Sequence, residues 1–269
     1  MPDLTPPQLL AAYDAQLRTE PSSRLPRGIH VEHDGPLFRI VGHDHGGFVG
    51  YRDLAGIEGS ELDQLIARQV GVFAERGEPF EWKLHGHDQP PDLPQRLSAA
   101  GLAPEEVETV VIAPVADVAT TAVPPLGVTL REVSERADLD RIAGMEETIW
   151  QDDRGWLADS LEAERAADPD AISIVVAEAI RSVVCAGWIR FEGGTEFATL
   201  WGGGTLPEWR SRGIYRAVVA FRANLAVRRG FRYLEVDASE NSRPILERLA
   251  FVAVTTTTPF IWTPPLAEA

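Results

Sequence analysis

The sequence predicts an α/β protein in which one α/β unit occurs twice along the chain. Its 269 residues, 44% of them hydrophobic, are sufficient for two ordinary domains. Segment 114–127, PVADVATTAVPPLG, is rich in proline and small residues, has no helical or alternating pattern, and is therefore typical of a linker. On both sides of it, the order helix, glycine, strand, short helix and closing strand recurs. We therefore expect a domain over 1–115, a linker over 116–127 and a second domain over 128–269.

The first copy of the unit begins with a helix. SELDQLIARQVGVFAERG (60–77) has helical hydrophobic spacing, PFEWKL (79–84) follows as a strand, and PDLPQRLSAAGLA follows as a short helix. Ser60 and Asp63 have the spacing of a capping box. Glu58, Glu61 and Asp63 crowd the start of this helix, where carboxylates would satisfy the helix dipole and repel a phosphate.

The second half begins with a strand, two helices and three further strands. Ser134 stands where it would cap the first of these helices. The turn between the two central strands falls near Arg181, and three glycines interrupt the last strand, as a bulge or a close approach of the backbone to a ligand requires. The predicted elements are strand 128–133, helices 134–150 and 154–170, and strands 171–180, 181–193 and 195–206.

A helix that starts near Gly213 completes the second copy, and strand 231–236 follows it. The helix carries apolar residues at helical spacing on one face. They are Ile214, Ala217, Val218, Phe221 and Leu225.

Composition excludes several classes of protein. A net charge of −16 and a pI near 4.8 argue against nonspecific binding to nucleic acid or to anionic lipid. The chain contains no run of 18 apolar residues, so we expect no membrane span. Its start lacks a secretory pattern, and the single cysteine, Cys185, suits a reducing compartment; we therefore expect a cytoplasmic protein.

Basic residues concentrate in one stretch of this acidic chain. Segment 209–232 holds seven arginines and no acidic residue, which fits either a solvated helix face or a site for a polyanionic ligand. A glycine-containing strand, a short arginine-rich loop and the start of a helix follow one another here. This combination is typical of a phosphate site, because unpaired N–H groups and the helix dipole converge on one anion. Other phosphate motifs fit badly. A Walker loop needs a lysine that this segment lacks, and Pro207 stands where the dinucleotide motif requires its third glycine.

These residues resemble a known family. TLPEWRSRGIYRAVV resembles the cofactor loop of the GNAT acetyltransferase superfamily, Gln/Arg-x-x-Gly-x-Gly/Ala, with Arg210, Gly213 and Tyr215 at the marked positions. Tyr215 departs from Gly/Ala. PILERLAF resembles the family's LYEKLGF element, with Leu246 in place of tyrosine and Ala250 in place of glycine. The resemblance covers about 128–263, and the first half resembles a second copy that has lost its loop.

The resemblance implies two tandem GNAT-like domains, each with a mixed, largely antiparallel sheet flanked by helices, and acetyl transfer from acetyl-CoA to a small-molecule or peptide amine. The backbones of Gly203 and Thr205 would hold the pantetheine arm and the thioester carbonyl. Ser239 falls near a family asparagine that contacts the cofactor. The pyrophosphate would be held by Arg210, Ser211, Arg212, Gly213, Ile214, Tyr215 and Arg216. We expect one cofactor site, in the second half.

The catalytic residues of the family are not all present. Leu246 replaces the tyrosine that serves as acid, and Thr199 stands where a glutamate base is common. Asp237, at the end of a strand beside the cofactor, is the candidate base and would act directly or through water. An equal alternative is that Asp237 is only a surface carboxylate that caps the segment SENSRP. Two competing functions stay open: a non-catalytic acyl-CoA-binding or scaffold protein, and a transferase that uses a longer acyl-CoA.

Histidines and tryptophans offer further candidates. All six histidines lie in the first half, in HVEH, HDH and HGH, and we expect surface histidines and no metal. The tryptophans of the second half could line an acceptor pocket, although core packing is the favoured interpretation. They are Trp150, Trp156, Trp188 and Trp201.

Overall fold

The computed structural model describes residues 4–21, 23–43 and 46–265. Its α-helices are α1 (Pro6–Gln16), α2 (Gly59–Arg76), α3 (Leu93–Ala99), α4 (Val115–Val118), α5 (Arg136–Trp150), α6 (Gly155–Ala167), α7 (Ile214–Arg228) and α8 (Arg243–Glu247). Its strands are β1 (His30–Asp34), β2 (Leu37–Val41), β3 (Gly47–Tyr51), β4 (Phe80–His85), β5 (Ala103–Pro104), β6 (Glu108–Pro114), β7 (Val128–Val133), β8 (Ile172–Ala179), β9 (Ser182–Phe191), β10 (Phe197–Thr205), β11 (Tyr233–Ala238) and β12 (Val252–Trp262).

All strands belong to one sheet in the order β1-β2-β3-β4-β12-β6-β11-β10-β9-β8-β7, and β5 pairs with β12. Most neighbours are antiparallel, but β3 pairs with β4 in parallel, and β10 pairs with β11 in parallel. A helix connects each parallel pair, α2 in the first half and α7 in the second, as a parallel crossover requires. The predicted mixed, largely antiparallel sheet flanked by helices is therefore confirmed, and the same unit occurs in both halves.

The two halves exchange their last strands. β6, from the first half, lies beside β11, with Ala113 opposite Leu234. β12, from the second half, lies beside β4, with Phe260 opposite Trp82. β6 and β12 also pair with each other and so join the two halves in the middle of the sheet. Each parallel pair is thus completed by a strand from the other half of the chain, and the domain limits at 115 and 128 stay a prediction.

Helices cover both faces of the second-half sheet. α7 packs on one face through Val218 and Ala223, in a core that also contains Leu234 of β11. α5 and α6 pack on the opposite face of β8 and β9, where Ile142 meets Ile174. On this same face, α1 covers β6, β10 and β11 through Leu9 and its neighbours. The site described below opens on the face that carries α1, α5 and α6.

Two predicted helix caps are wrong. α2 begins at Gly59 with Glu58 as its N-cap, so Ser60 already lies inside the helix, and Asp63 accepts a hydrogen bond from Arg96. α5 begins at Arg136, with Glu135 as its N-cap rather than Ser134.

The predicted linker also differs at its start. Residues Val115–Val118 form one helical turn, α4, because Val115 and Val118 are buried in the core beneath α7. Over the described residues, no helix is both long enough and apolar enough to cross a membrane.

Candidate active site

A gap opens between the two parallel strands of the second half. Pairing of β10 with β11 ends at Thr199 opposite Glu235, while β10 continues beside β9 as far as Thr205. The register of β10 shifts between Gly202 and Thr205, which marks the bulge that the glycines predicted. Gly202 and Gly203 have φ values of 66° and 96°, a left-handed conformation that favours glycine. Backbone groups at this bulge are therefore turned away from the ladder.

The loop after this bulge has an anion-binding conformation. It contains a single 3₁₀ turn, Pro207–Trp209, followed by Ser211 at φ 60° and Gly213 at φ 80°, directly before α7. Arg210, between the 3₁₀ turn and Ser211, is extended, and the positive end of the α7 dipole lies directly after Gly213. The first turn of α7 contains no acidic residue and its N-cap, Gly213, makes no side-chain capping bond. The donors at this helix start are thus available to a ligand.

Arginines surround the same loop. Arg210 donates from Nε to the carbonyl oxygen of Thr205, 3.0 Å away, and Arg212 lies 4.7 Å from the centre of the Trp209 ring. A Cβ atom on Gly213 would lie 3.6 Å from Nη2 of Arg216. All three arginines are exposed, so their guanidinium groups can reach an anion at the helix start.

Tyr215 has a structural reason to depart from the Gly/Ala of the motif. A Cβ atom on Gly203 would lie 2.6 Å from Cε2 of Tyr215, so the ring packs directly against the β10 bulge. Ile214, beside it, is buried in the core under α7. These two side chains fix the start of α7 relative to the bulge.

One cleft contains every predicted cofactor residue. Its volume is about 2330 Å³, and Ser239 lines it next to the gap, with its hydroxyl 3.2 Å from that of Ser242. The other predicted residues that line it are Gly203, Thr205, Arg210, Ser211, Arg212, Gly213, Ile214, Tyr215, Arg216 and Asp237.

Asp237 forms an ion pair that sequence reasoning missed. Its Oδ2 accepts a hydrogen bond from Nζ of Lys83, the only lysine of the chain, which stands on β4 in the first half. Burial opposes the charge of Lys83, but Asp237 together with Tyr13, Glu81 and Glu235 outweighs burial, so the pKa of Lys83 lies well above its usual value. The first half thus places a permanent cation in the cleft. Asp237 is accordingly not a plain surface carboxylate.

Glu146 is a second residue that sequence reasoning missed. It lies on α5 and is only 6% exposed; Nε1 of Trp150 donates to its Oε2 at 2.7 Å. A Cβ atom on Gly204 would lie 2.5 Å from its Oε1, so the carboxylate faces the β10 bulge. Burial raises the pKa of Glu146. The sequence contained one signal for Glu146: it is a carboxylate within the apolar face of α5, four residues after Ile142.

The floor of the cleft is acidic. Glu235 precedes Asp237 on the same face of β11, and Glu81 on β4 and Glu108 on β6 also line the cleft. Burial is the main cause that raises the pKa of each of these glutamates. The pKa of Glu108 reaches about 7.

Thr199 belongs to a hydrogen-bonded row at the edge of this floor. Its hydroxyl donates to Oε1 of Glu192 at 3.1 Å and accepts from Nε1 of Trp201 at 2.8 Å. A glutamate, Glu192, is therefore present next to the position where the family often has one.

The tryptophans of the second half were expected either to line an acceptor pocket or to pack in the core. All four tryptophans line the cleft. Trp150, Trp156 and Trp201 are 57%, 38% and 42% exposed, whereas Trp188 is buried and also packs in the core with α5. Arg190 lies 4.4 Å from the ring of Trp201. The cleft therefore combines carboxylates with accessible aromatic rings, which is a combination that suits a cationic ligand.

The corresponding gap in the first half is filled by side chains. Pairing of β3 with β4 ends at Val49 opposite Trp82, and Tyr51 then donates to Asp88 at 2.6 Å. Arg18 donates to the same carboxylate at 2.6 Å. At the start of α2, Arg96 binds Asp63 and the carbonyl oxygen of Gly59.

The histidines show no common site. His85 lies 3.0 Å from the hydroxyl of Tyr13, and His87 lies 3.1 Å from Asp14. His45 lies outside the described residues. Among the residues that the structure describes, no group of three or more His, Cys, Asp or Glu side chains could hold a metal ion.

Comparison with solved structures identifies the fold. No protein-family model matches the sequence. No curated protein matches it either. Solved structures do match. A GCN5-related N-acetyltransferase from Kribbella flavida superposes with a TM-score of 0.64 at 17% identity, over 89% of this chain and 91% of that one.

Two other solved structures agree. A tandem GNAT protein from the clavulanic acid biosynthesis pathway has a TM-score of 0.64 at 12% identity, over 91% of this chain and 86% of that one. A GCN5-related N-acetyltransferase from Sphaerobacter thermophilus has a TM-score of 0.60 at 14% identity, over 87% and 79%. These matches extend across both halves and agree with the two parallel strand pairs described above. The chain therefore has the fold of a tandem GNAT N-acetyltransferase.

Proposed function

We propose that the second half binds acetyl-CoA and that the protein transfers the acetyl group to an amine. The observation that carries this proposal is the gap between β10 and β11, which leads directly to the uncapped, arginine-flanked start of α7. The backbones of Gly203 and Thr205 would hold the pantetheine arm, residues 210–216 the pyrophosphate, and Ser239 the cofactor beside the gap. Bound acetyl-CoA supplies an acetyl group already activated as a thioester.

We assign Glu146 as the group that takes a proton from the amine. Its Oε1 faces the β10 bulge, where the thioester carbonyl is expected, and burial raises its pKa toward the range of a base that works near neutral pH. After deprotonation, the amine nitrogen forms the new bond to the acetyl carbon, the carbon–sulfur bond breaks, and the leaving thiolate regains a proton. Asp237, the candidate from the sequence, is already paired with Lys83 and is assigned to binding of the acceptor.

The cofactor loop is tested by charge reversal. Replacement of both Arg210 and Arg212 by glutamate removes two charge-assisted donors, each worth about 1.5–3 kcal/mol, so we expect acetyl-CoA affinity to fall by at least about 100-fold. The matched control is Arg181→Glu with Arg228→Glu, which makes the same change of net charge at exposed residues away from the cleft. Calorimetry measures binding, and the unfolding temperature of each variant reports folding. Equal affinity of the test variant and the control would refute the assigned loop.

A non-catalytic acyl-CoA-binding protein is the second candidate. Leu246 is fully buried where the family has its acid, and this favours a binder. Release of free thiol from acetyl-CoA in the presence of amines separates the two functions: binding without amine-dependent thiol release would support the binder.

A further inference from the structure

Carboxyl groups outnumber cations at the floor of the cleft. Its floor carries Glu81, Glu108, Glu235 and Asp237, and the one ammonium group among them is that of Lys83. Two arginines of the cleft walls bind carboxylates other than those of the floor: Arg190 binds Glu164, and Arg18 binds Asp88. Over the described part of the chain, four carboxyl groups of the floor thus share one ammonium group.

Glu235 is the most buried of these floor carboxyl groups. This residue is only 6% exposed, and its Oε1 makes no hydrogen bond to any described residue. A buried carboxylate oxygen without a partner is costly, and such groups are normally paired with a cation or protonated. Glu235 lines the cleft on the same face as Asp237, so a ligand can reach its carboxylate.

A second carboxylate oxygen is orphaned on another wall. Oε1 of Glu146, on α5, is buried without a hydrogen bond from the described residues and faces the β10 bulge. Glu146 stands on a helix over β9 and β10, whereas Glu235 and Glu108 belong to β11 and β6. The cleft therefore has carboxyl groups on two different walls, one on α5 and one on the strands of the floor.

We infer that the acceptor carries two cationic amines joined by an aliphatic chain. One amine lies beside Glu146 and receives the acetyl group; this part rests on the proposed function. The other binds Glu235 and Glu108 at the floor and is not acetylated while it stays there. Exposed Trp150 and Trp201 line the same cleft and offer ring faces to the methylene chain and to the cations. A diamine or a short polyamine has this chemistry.

Paired substrates test the inference in the full-length protein. The probes are 1,4-diaminobutane, 1,5-diaminopentane, 1-aminobutane and 4-aminobutanoate, and the readout is kcat/KM for amine-dependent thiol release from acetyl-CoA. A second charge-assisted contact predicts a kcat/KM at least about 10-fold higher for a diamine than for 1-aminobutane, with 4-aminobutanoate the poorest substrate. Equal values for the diamines and 1-aminobutane would overturn the inference.

Variants locate the second cation. Glu235→Gln and Glu108→Gln each remove one floor charge and keep the side-chain shape, so each should reduce the ratio of diamine to monoamine kcat/KM to about 3 or less. Glu75→Gln, on the exposed face of α2, is the matched control and should keep the wild-type ratio. A wild-type ratio in both floor variants would also overturn the inference.

Direct binding separates this inference from the proposed function. Calorimetry of 1,4-diaminobutane with the protein needs neither acetyl-CoA nor turnover. Binding that Glu235→Gln weakens at least about 10-fold, without any thiol release, would support the diamine site and refute the transferase. Amine-dependent thiol release with the same kcat/KM for all four amines would support the transferase and refute the diamine site.

Discussion

Two carboxylates of the cleft have different surroundings and therefore different expected roles. Glu146, on α5, is buried, accepts a hydrogen bond from Trp150 and faces the bulge, while Asp237 is held by Lys83. General base catalysis needs a carboxylate that can take up a proton near neutral pH, and burial raises the pKa of Glu146 in that direction.

Glu146→Gln should therefore reduce kcat by at least about 100-fold, whereas Asp237→Asn should raise KM for the amine more than it lowers kcat. Acetyl-CoA affinity should stay at the wild-type value in the glutamine variant. Because deprotonated Glu146 is the active form, wild-type kcat/KM should fall as the pH drops through its raised pKa, and residual activity of the variant should lack this acidic limb. A larger loss of kcat in Asp237→Asn than in Glu146→Gln would return the base role to Asp237.

Residues in the cofactor loop could be predicted from the sequence, whereas the acidic partners could not. Arg210 and Gly213 lie within one short motif whose function depends on local backbone geometry. Lys83 is 154 positions from Asp237, and only the sheet brings them together. Glu146 lies on a helix that was predicted, but its direction toward the bulge depends on how α5 packs.

The start of α7 depends on one glycine in the left-handed region. Gly213 has a φ of 80°, and Gly230, after the end of the same helix, has a φ of 82° with open space around it. Alanine at either position meets the same backbone strain, on the order of 1 kcal/mol. Only Gly213, however, lies where the phosphate is expected.

Gly213→Ala and Gly230→Ala should therefore lower the free energy of unfolding by similar amounts, on the order of 1 kcal/mol, while only Gly213→Ala weakens acetyl-CoA binding. Urea unfolding and calorimetry on the two variants measure both effects. Equal affinities for acetyl-CoA would show that Gly213 is needed only for the turn.

Elements were predicted well where the hydrophobic period is strong. α2, β4, α5 and α7 lie within about two residues of the limits expected from the sequence. The two wrong caps at Ser60 and Ser134 show that helix ends are harder to predict: α5 begins one residue later than a Ser134 cap requires, and the hydroxyl of Ser134 donates to Oε1 of Glu135 at 3.4 Å.

At the scale of the whole molecule, the two halves share a fold but differ at the gap that follows each parallel strand pair. The second-half gap leads to arginines, whereas the first-half gap is closed by Tyr51 and Asp88, and α2 starts among carboxylates. At about 4 Å, a like-charge contact with pyrophosphate costs on the order of 1 kcal/mol in water and several near a protein surface.

One equivalent of acetyl-CoA should therefore saturate each chain in an isothermal titration. The Arg210→Glu, Arg212→Glu variant is the control and should show no residual site. A second equivalent that survives in this variant would place a cofactor site in the first half.

The repeat itself could be predicted because each copy has the same local order of helix, glycine and strand. The exchange of β6 and β12 could not, because either strand could satisfy either edge by the same hydrophobic alternation. The strands that pair here are far apart in sequence, and local sequence patterns do not specify which strand pairs with which.

The exchanged strands also constrain how the protein is made. Synthesis proceeds from the N-terminus, and domains generally fold as units in that order. Here the first half cannot complete its sheet early, because the strand that belongs between β4 and β6 is β12, the last of the described strands to be synthesised. Until β12 emerges, the edges of β4 and β6 are open and can pair with other chains. The nascent protein therefore depends on finishing its second half before its first half is protected from aggregation.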